Sequence, residues 1–107
     1  MALQVHDVAL ELIDSLRPLM PAISRHDKDL ARQLRRAATS VVLNIAEGEH
    51  SDPGNRRARY HSAAGSANET RAALRVAMAW RYLSVERAEA SLALSDRVIA
   101  MLWKLRH

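Results

Sequence analysis

The stretch Gln33–Gly48, QLRRAATSVVLNIAEG, decides the fold of this chain. The apolar residues in and just before it recur every three or four positions, in two adjoining stripes. These stripes consist of Leu30, Leu34, Ala37 and Val41, and of Ala38, Val42 and Ile45. Since that spacing places the apolar side chains on one side of an α-helix, the stretch predicts an amphipathic helix. Asp27 fits its N-cap, and we expect Gly48 to end it.

Two segments on either side of this helix show related patterns. The first begins near Val5 and carries apolar residues at helical spacing. It ends within residues 16–19, because Pro18 interrupts it there. The connection to the Gln33–Gly48 helix then runs through residues 21–26.

The next helix carries an apolar and small-residue stripe from Tyr60 to Arg81, at alternating steps of three and four. Asp52 and Pro53 fit its N-cap and first helical position. The cationic side chains that follow Gly54 oppose the helix dipole, and they favour a loop that extends to about Asn55 or further.

The last helix begins after Ser84, which fits an N-cap. The sequence thus contains four amphipathic helices of about 20 residues with short connections, the pattern of a helix bundle. We therefore expect an all-α fold, an antiparallel up-down-up-down four-helix bundle, with residues 1–107 as a single domain.

Composition excludes several classes of protein. Three Gly and three Pro in 107 residues are too few for the many turns of a β-sandwich or barrel. The absence of Cys excludes disulfides, thiolate zinc sites and cysteine nucleophiles. The longest uncharged run, Ala37–Ala46, is too short to span a bilayer, and residues 1–7 lack the basic start of a signal peptide. We expect a cytoplasmic protein without membrane association.

No common catalytic motif is present, and we expect no enzymatic activity, cofactor or metal. The sequence lacks HExxH, GxGxxG, GxxxxGK[ST] and GxSxG. Glu47–His50 reads E-x-x-H, the spacing of di-iron bundles, but such a site needs a second E-x-x-H and two further carboxylates. A di-metal enzyme therefore has only this fragment in its favour.

The basic residues are better organised than any catalytic motif. Fourteen of the sixteen basic residues are Arg, and the formal net charge is +4. Residues 25–40 carry five basic and two acidic side chains, and residues 56–87 carry seven and two. Guanidinium groups pair bidentately with phosphate, so this excess suits RNA or DNA, although a charged helix face can simply be solvated. The candidate phosphate-contacting residues are Arg32, Arg35, Arg36, Arg71 and Arg75.

Three polar residues continue or adjoin the apolar stripes, namely Asn44, Glu47 and Glu69. Buried polar groups need partners. We expect these three to form a structural polar core that pairs across the second and third helices and fixes their register. Arg36 is either their internal partner or a ligand-facing residue.

The last helix has more apolar surface than one stripe. Its stripes are Ala88, Leu92, Ser95, Ile99 and Leu102, and Leu94, Val98, Met101 and Leu105. Either the helix buries a broad face in its own bundle, or part of this surface packs against another copy. We expect a homo-oligomer, because an Ala-rich core at this length is thin.

Several blocks of the sequence resemble one known family. Residues 33–38, Ser40 and residues 44–48 are similar to QLRRAAxSIxxNIAEG, the signature of four-helix bundle proteins encoded in intervening sequences of bacterial 23S rRNA genes. Further matches in register with that family are Gly65-Ser66, Glu69, Leu74, Ala77 and Tyr82-Leu83. The sequence departs from the family at Val42-Leu43, which replace Pro-Ser, at Arg81, which replaces Gly, and across residues 49–59.

The resemblance implies an antiparallel bundle, often assembled as a homopentamer, without catalytic residues or a cofactor. It also implies similarity to accessory variability proteins of diversity-generating retroelements, which bind nucleic acid and a reverse transcriptase. We expect a non-enzymatic oligomer that binds the RNA or DNA backbone through an arginine-rich face. The alternative is a protein-interaction scaffold, such as a reverse-transcriptase accessory, without affinity for nucleic acid.

Overall fold

A computed structural model describes residues 4–107, and its helices form an all-α bundle. The helices are α1 (Val5–Leu16), α2 (Met20–His26), α3 (Lys28–Glu49), α4 (Pro53–Ala79) and α5 (Val85–Arg106), with a 3₁₀ turn at Arg17–Leu19. α1, the turn and α2 together form the first leg of a four-legged bundle. α3 packs between α1 and α4, and α5 packs between α4 and α1. The expected four-helix bundle is confirmed.

The connection expected at residues 21–26 is instead helical. Pro18 lies in the first turn of the 3₁₀ segment and Pro21 in the first turn of α2. Backbone N–H groups in a first turn have no partner within the helix, so proline costs nothing there. The chain therefore bends at residues 17–19 and resumes its helix, and the break falls at Asp27, whose backbone is extended.

Side-chain caps begin the three long helices. The carboxylate of Asp27 accepts from the backbone N–H of Leu30 at 3.0 Å, and the hydroxyl of Ser84 accepts from that of Arg87 at 3.2 Å. Each cap satisfies a donor that the helix itself cannot. Both caps are as the sequence predicts.

The loop before α4 ends at Asp52 and does not extend to Asn55 or further. Asp52 is the N-cap of α4, and Pro53 is its first residue. Asp52 accepts from the backbone N–H of Asn55 at 3.0 Å and from its side-chain amide at 2.8 Å. These hydrogen bonds, the backbone one first, hold the pKa of Asp52 below its ordinary value of 3.8.

The sequence predicts that Gly48 ends α3, and this prediction is wrong. Gly48 lies buried within the helix. α3 continues to Glu49 and is followed by His50. A Cβ at Gly48 would stand 2.7 Å from Cε1 and 2.9 Å from Cδ1 of Tyr60, a buried residue of α4. Glycine is therefore required for close approach to α4 and not for chain reversal.

The turn between α4 and α5 is closed by a Schellman motif. The N–H of Tyr82 donates to the carbonyl of Ala77 at 2.8 Å, and that of Arg81 donates to Met78 at 3.0 Å. Arg81 has φ of 67°, the left-handed conformation that this motif requires after the helix. This is the position at which the resembling family has glycine, which accounts for that preference.

The core consists of two apolar clusters at the two ends of the bundle. One includes Leu12, Leu34 and Leu74, and the other includes Ile45 and Leu102. Between them lie three buried hydroxyl residues, Thr70, Ser91 and Ser95. We refer to these three as the hydroxyl belt. The Thr70 hydroxyl donates to the carbonyl of Ser66 and the Ser95 hydroxyl to that of Ser91, both at 2.9 Å, so both donors are satisfied.

The additional apolar stripe of α5 divides between the core and the surface. Val98 is buried, and Leu94 and Met101 pack partly against the core. Leu105, in contrast, is 53% exposed. Among residues 4–107, no helix is both long and apolar enough to cross a membrane.

Candidate nucleic-acid interface

Arg32, Arg35 and Arg36 lie exposed on α3. Arg32 and Arg36 are opposite the buried positions Leu34 and Ala38, and Arg35 lies at the side of that buried face. Arg32 forms an ion pair with Asp29, one turn earlier on the same helix. Within residues 4–107, Arg35 and Arg36 have no carboxylate within ion-pair distance. Their guanidinium groups are thus the ones on α3 most available to an external anion.

Arg35 and Arg36 border an open cavity of about 520 Å³ on the surface of α3 and α4. We call it the α3 cavity. Its other lining residues are Thr39, Ser40, Leu43, Asn44, Glu47 and Arg59. Hydroxyl and amide groups can donate to phosphate oxygens alongside guanidinium groups. The cavity therefore combines cationic and neutral donors, with Glu47 as its one acidic side chain.

A short hydrogen-bonded chain fixes the polar wall of the α3 cavity. The hydroxyl groups of Ser40 and Ser66 lie 2.8 Å apart and link α3 to α4. The Asn44 amide donates to the Ser40 carbonyl at 2.9 Å and to its hydroxyl at 3.0 Å. These side chains are positioned before any ligand arrives, which lowers the entropic cost of binding.

Arg59 closes one end of the α3 cavity. Its Nε lies 2.9 Å from Oε2 of Glu47, across the interface between α3 and α4. The pair is about half exposed, so its contribution to stability is small. The next residue, Tyr60, is buried, and burial raises the pKa of its hydroxyl, with Glu49 adding to the shift and Arg56 opposing it.

Arg71 and Arg75 do not join the arginines of α3. Nε of Arg71 lies 2.9 Å from Oδ1 of Asp96, so Arg71 faces α5. Arg75 follows one turn later on the same side of α4. Arg36, in contrast, borders a groove with Ser66 and Glu69 on the side of α4 that faces α3. Within one chain, the five predicted arginines therefore occupy two separate surfaces.

Asn44, Glu47 and Glu69 do not form the predicted buried polar core. Asn44 is half-buried and bonds within its own helix, whereas both glutamates are exposed. Glu47 does link α3 to α4, but its partner is Arg59 and not Arg36. Carboxylates keep their hydration at the surface, and hydroxyl groups, which are cheaper to desolvate, fill the interior.

The pattern within each helix does not identify Arg59 and Ser66 as site residues, because each contacts a partner on the other side of the turn between α3 and α4. The numbers of the pairs Glu47–Arg59 and Ser40–Ser66 are symmetric about residue 53. That symmetry is expected of an αα-hairpin, since residues equally distant from the turn face each other. Pairing residues that are equally distant from Pro53 therefore predicts both contacts.

The E-x-x-H fragment is not assembled into a cluster. Glu47 is paired with Arg59, and His50 is the exposed C-cap of α3. Residues 4–107 contain no group of three or more His, Cys, Asp or Glu side chains placed to hold a metal ion.

The comparisons with known proteins agree with the fold. The family model described as "23S rRNA-intervening sequence protein" matches residues 1–104. A solved structure from Bacteroides thetaiotaomicron VPI-5482, a protein of unknown function from the S23 ribosomal protein family, is 24% identical. It superimposes with a TM-score of 0.88 over 96% of this chain and 98% of that chain. No curated protein matches the sequence.

Proposed function

Since this chain belongs to the 23S rRNA-intervening sequence protein family, we propose that it is a non-enzymatic, oligomeric bundle that binds the backbone of RNA or DNA. The family name refers to the place of a gene and not to an activity, so the proposal depends on the site. Arg35 and Arg36 carry the phosphate contact, and Thr39 and Ser40 add neutral donors at the α3 cavity.

The observation that supports this proposal most directly is the state of the two guanidinium groups. Arg35 and Arg36 are exposed, adjacent in sequence, and without an ion pair among residues 4–107. Binding a phosphate therefore breaks no internal salt bridge of theirs. Arg71 must give up Asp96 to do the same, and Arg32 must give up Asp29.

The oligomeric part of the proposal is supported by exposed apolar side chains on α4 and at the start of α5. Val76 is 42% exposed, Trp80, one turn later, is 67% exposed, and Val85 is 58% exposed. Large apolar groups grouped at one end of a bundle are typical of a surface that packs against another protein chain, a second copy included. Assembly multiplies the net charge of +4 per chain, and a pentamer, as the resemblance implies, would carry five times that charge.

Salt dependence tests the backbone contact. Fluorescence anisotropy of a labelled duplex RNA, titrated with the full chain between about 50 and 200 mM NaCl, gives the slope of log affinity against log salt. Arg35→Gln and Arg36→Gln are each expected to reduce that slope by about 1 per chain in contact. Arg71→Gln, a matched control whose guanidinium group is already paired, is expected to leave the slope nearly unchanged.

Equal effects of the three substitutions would contradict the assignment to the α3 cavity. Affinity that does not fall with salt would contradict backbone binding itself. Light scattering under the same conditions tests the oligomer, and a mass of about 12 kDa for the wild-type chain would exclude it.

A protein-interaction scaffold without affinity for nucleic acid is the second candidate. The exposed Val76 and Trp80 favour it as much as they favour self-association. An oligomeric mass together with no anisotropy change at 50 mM salt would support the scaffold. A reverse transcriptase is then the partner to assay first, because the resemblance implies it.

A further inference from the structure

A second cationic site lies at the other end of the molecule from Trp80, where α4 begins and α5 ends. Arg57 and His61 of α4 meet Arg106 and His107 around an open cavity of about 530 Å³. Gly54, Ala58 and Ser62 complete its lining, which contains no acidic side chain. We call this the terminal site.

Arg106 is held in place by two hydrogen bonds. Its Nε donates to the carbonyl of Leu102 at 3.2 Å, and its Nη1 lies 2.8 Å from Nδ1 of His61. A guanidinium group can only donate, so Nδ1 of His61 is the acceptor in this hydrogen bond. Among residues 4–107, Arg106 has no carboxylate within ion-pair distance.

Trp103 extends the terminal site with an aromatic surface. Its indole stacks on the ring of His107, with centroids 4.4 Å apart and an angle of 28° between the planes. The residue is 57% exposed. An exposed aromatic ring next to cationic side chains is a combination with which proteins bind single-stranded nucleic acid.

We propose that the terminal site binds unpaired nucleotides of single-stranded RNA or DNA. A base stacks on the indole of Trp103, either on its open face or in the place of His107. The adjoining phosphate contacts Arg106 and Arg57. Bases in a duplex already stack on each other and offer no free face, so the site selects unpaired strands without reading their sequence. This proposal rests on the proposed function and adds the class of nucleic acid bound.

The two tryptophans allow a matched experiment. Trp80→Phe leaves Trp103 as the only indole in the full chain, and its fluorescence then reports on the terminal site. We expect a 12-nucleotide oligothymidylate to quench this emission, and the same strand in duplex with oligoadenylate to leave it nearly unchanged. In anisotropy titrations, Trp103→Ala is expected to weaken binding of the single strand about tenfold or more. Leu10→Ala, a control that removes another exposed apolar side chain, is expected to change it less than about twofold.

Each alternative outcome decides against the terminal site in a distinct way. Equal binding of the single strand by Trp103→Ala and the wild type overturns the stacking. Equal quenching by duplex and single strand shows an electrostatic contact only. A blue shift of Trp103 emission with protein concentration, without oligonucleotide, identifies the surface as an interface between copies. In each of these cases the proposed function stands and only the terminal site fails, provided that Arg35→Gln and Arg36→Gln still weaken duplex binding. If the wild-type chain binds neither duplex nor single strand, the proposed function and the terminal site are both overturned.

Discussion

Gly48 sets the distance between α3 and α4, because any side chain at this position would overlap the ring of Tyr60. The ring is buried, so moving it away would expose its apolar surface to solvent. Gly48→Ala gains some helix propensity but forces the two helices apart. We expect it to lower the free energy of unfolding by about 1–2 kcal/mol, measured by urea denaturation.

Gly65 provides the matched control for that substitution. It also lies within a long helix, but a Cβ there would meet nothing within 4 Å. Gly65→Ala is expected to raise the free energy of unfolding by about 0.5–1 kcal/mol, the usual gain in helix propensity. If both glycines responded alike, the close approach at Tyr60 would carry no energy.

The role of Gly48 could not be read from its neighbours in sequence. A glycine after an apolar stripe is a common helix end, and the sequence supports that interpretation locally. The actual constraint comes from Tyr60, twelve positions later on α4. The stripes of α3, by contrast, were predicted correctly, because burial follows helical periodicity within a single element.

At the scale of the elements, the end of α4 is strained at one residue. Arg81 adopts a left-handed conformation that disfavours any residue with a Cβ, whereas glycine adopts it freely. Arg81→Gly is therefore expected to stabilise the protein by about 0.5–1 kcal/mol, after the greater entropy of glycine in the unfolded chain is deducted. Thermal unfolding monitored by circular dichroism measures this effect.

Loss of stability in Arg81→Gly would mean that the Arg81 side chain makes a compensating contact. Arg81→Ala separates the two contributions, because alanine removes the side chain but retains the strain. We expect its stability to equal that of the wild type within about 0.5 kcal/mol.

Prolines show how far local rules reach at this scale. Proline inside a helical pattern predicts an interruption, and an interruption does occur at residues 17–19. The interruption is short, because Pro21 begins a new helix that packs against α3. Whether a proline ends a helix or opens the next one depends on that packing, which the sequence of the segment alone does not contain.

At the scale of the whole molecule, two side-chain hydrogen bonds among residues 4–107 join the first leg of the bundle to the last. Arg87 donates to the carbonyl of Pro18 at 3.1 Å, and the hydroxyl groups of Ser15 and Ser91 form the second bond. The hydroxyl of Ser15 donates to the carbonyl of Leu12 at 2.7 Å, so the hydroxyl of Ser91, 2.7 Å away, must be the donor between the two serines. Ser15→Ala leaves the buried hydroxyl of Ser91 without this acceptor. We expect a loss of about 1 kcal/mol.

A double-mutant cycle measures the link between α1 and α5. Replacing both serines by alanine removes donor and acceptor together, which costs less than the sum of the single changes. The expected coupling is about 0.5–1 kcal/mol. Additive single effects would show that the two hydroxyl groups do not interact in solution.

The candidate site was only partly predictable at this scale. Arg35 and Arg36 could be placed on an exposed helix face from periodicity within α3. The pairing of Arg71 with Asp96 could not be predicted in this way, because it depends on the register of α4 against α5. The turn at Arg81 sets that register. Contacts between helices decide which arginines remain available, and they are not encoded in a single stripe.

The hydroxyl belt has a consequence for how the protein fluctuates. It interrupts the apolar core, so that the cluster with Leu102 and Tyr60 has few apolar contacts in common with the cluster at the other end. Subglobal opening of one end therefore does not require the other end to unfold. Amide hydrogen exchange should accordingly divide the bundle into two cooperative units, and a strand bound at Trp103 should slow exchange only in the unit that contains Leu102.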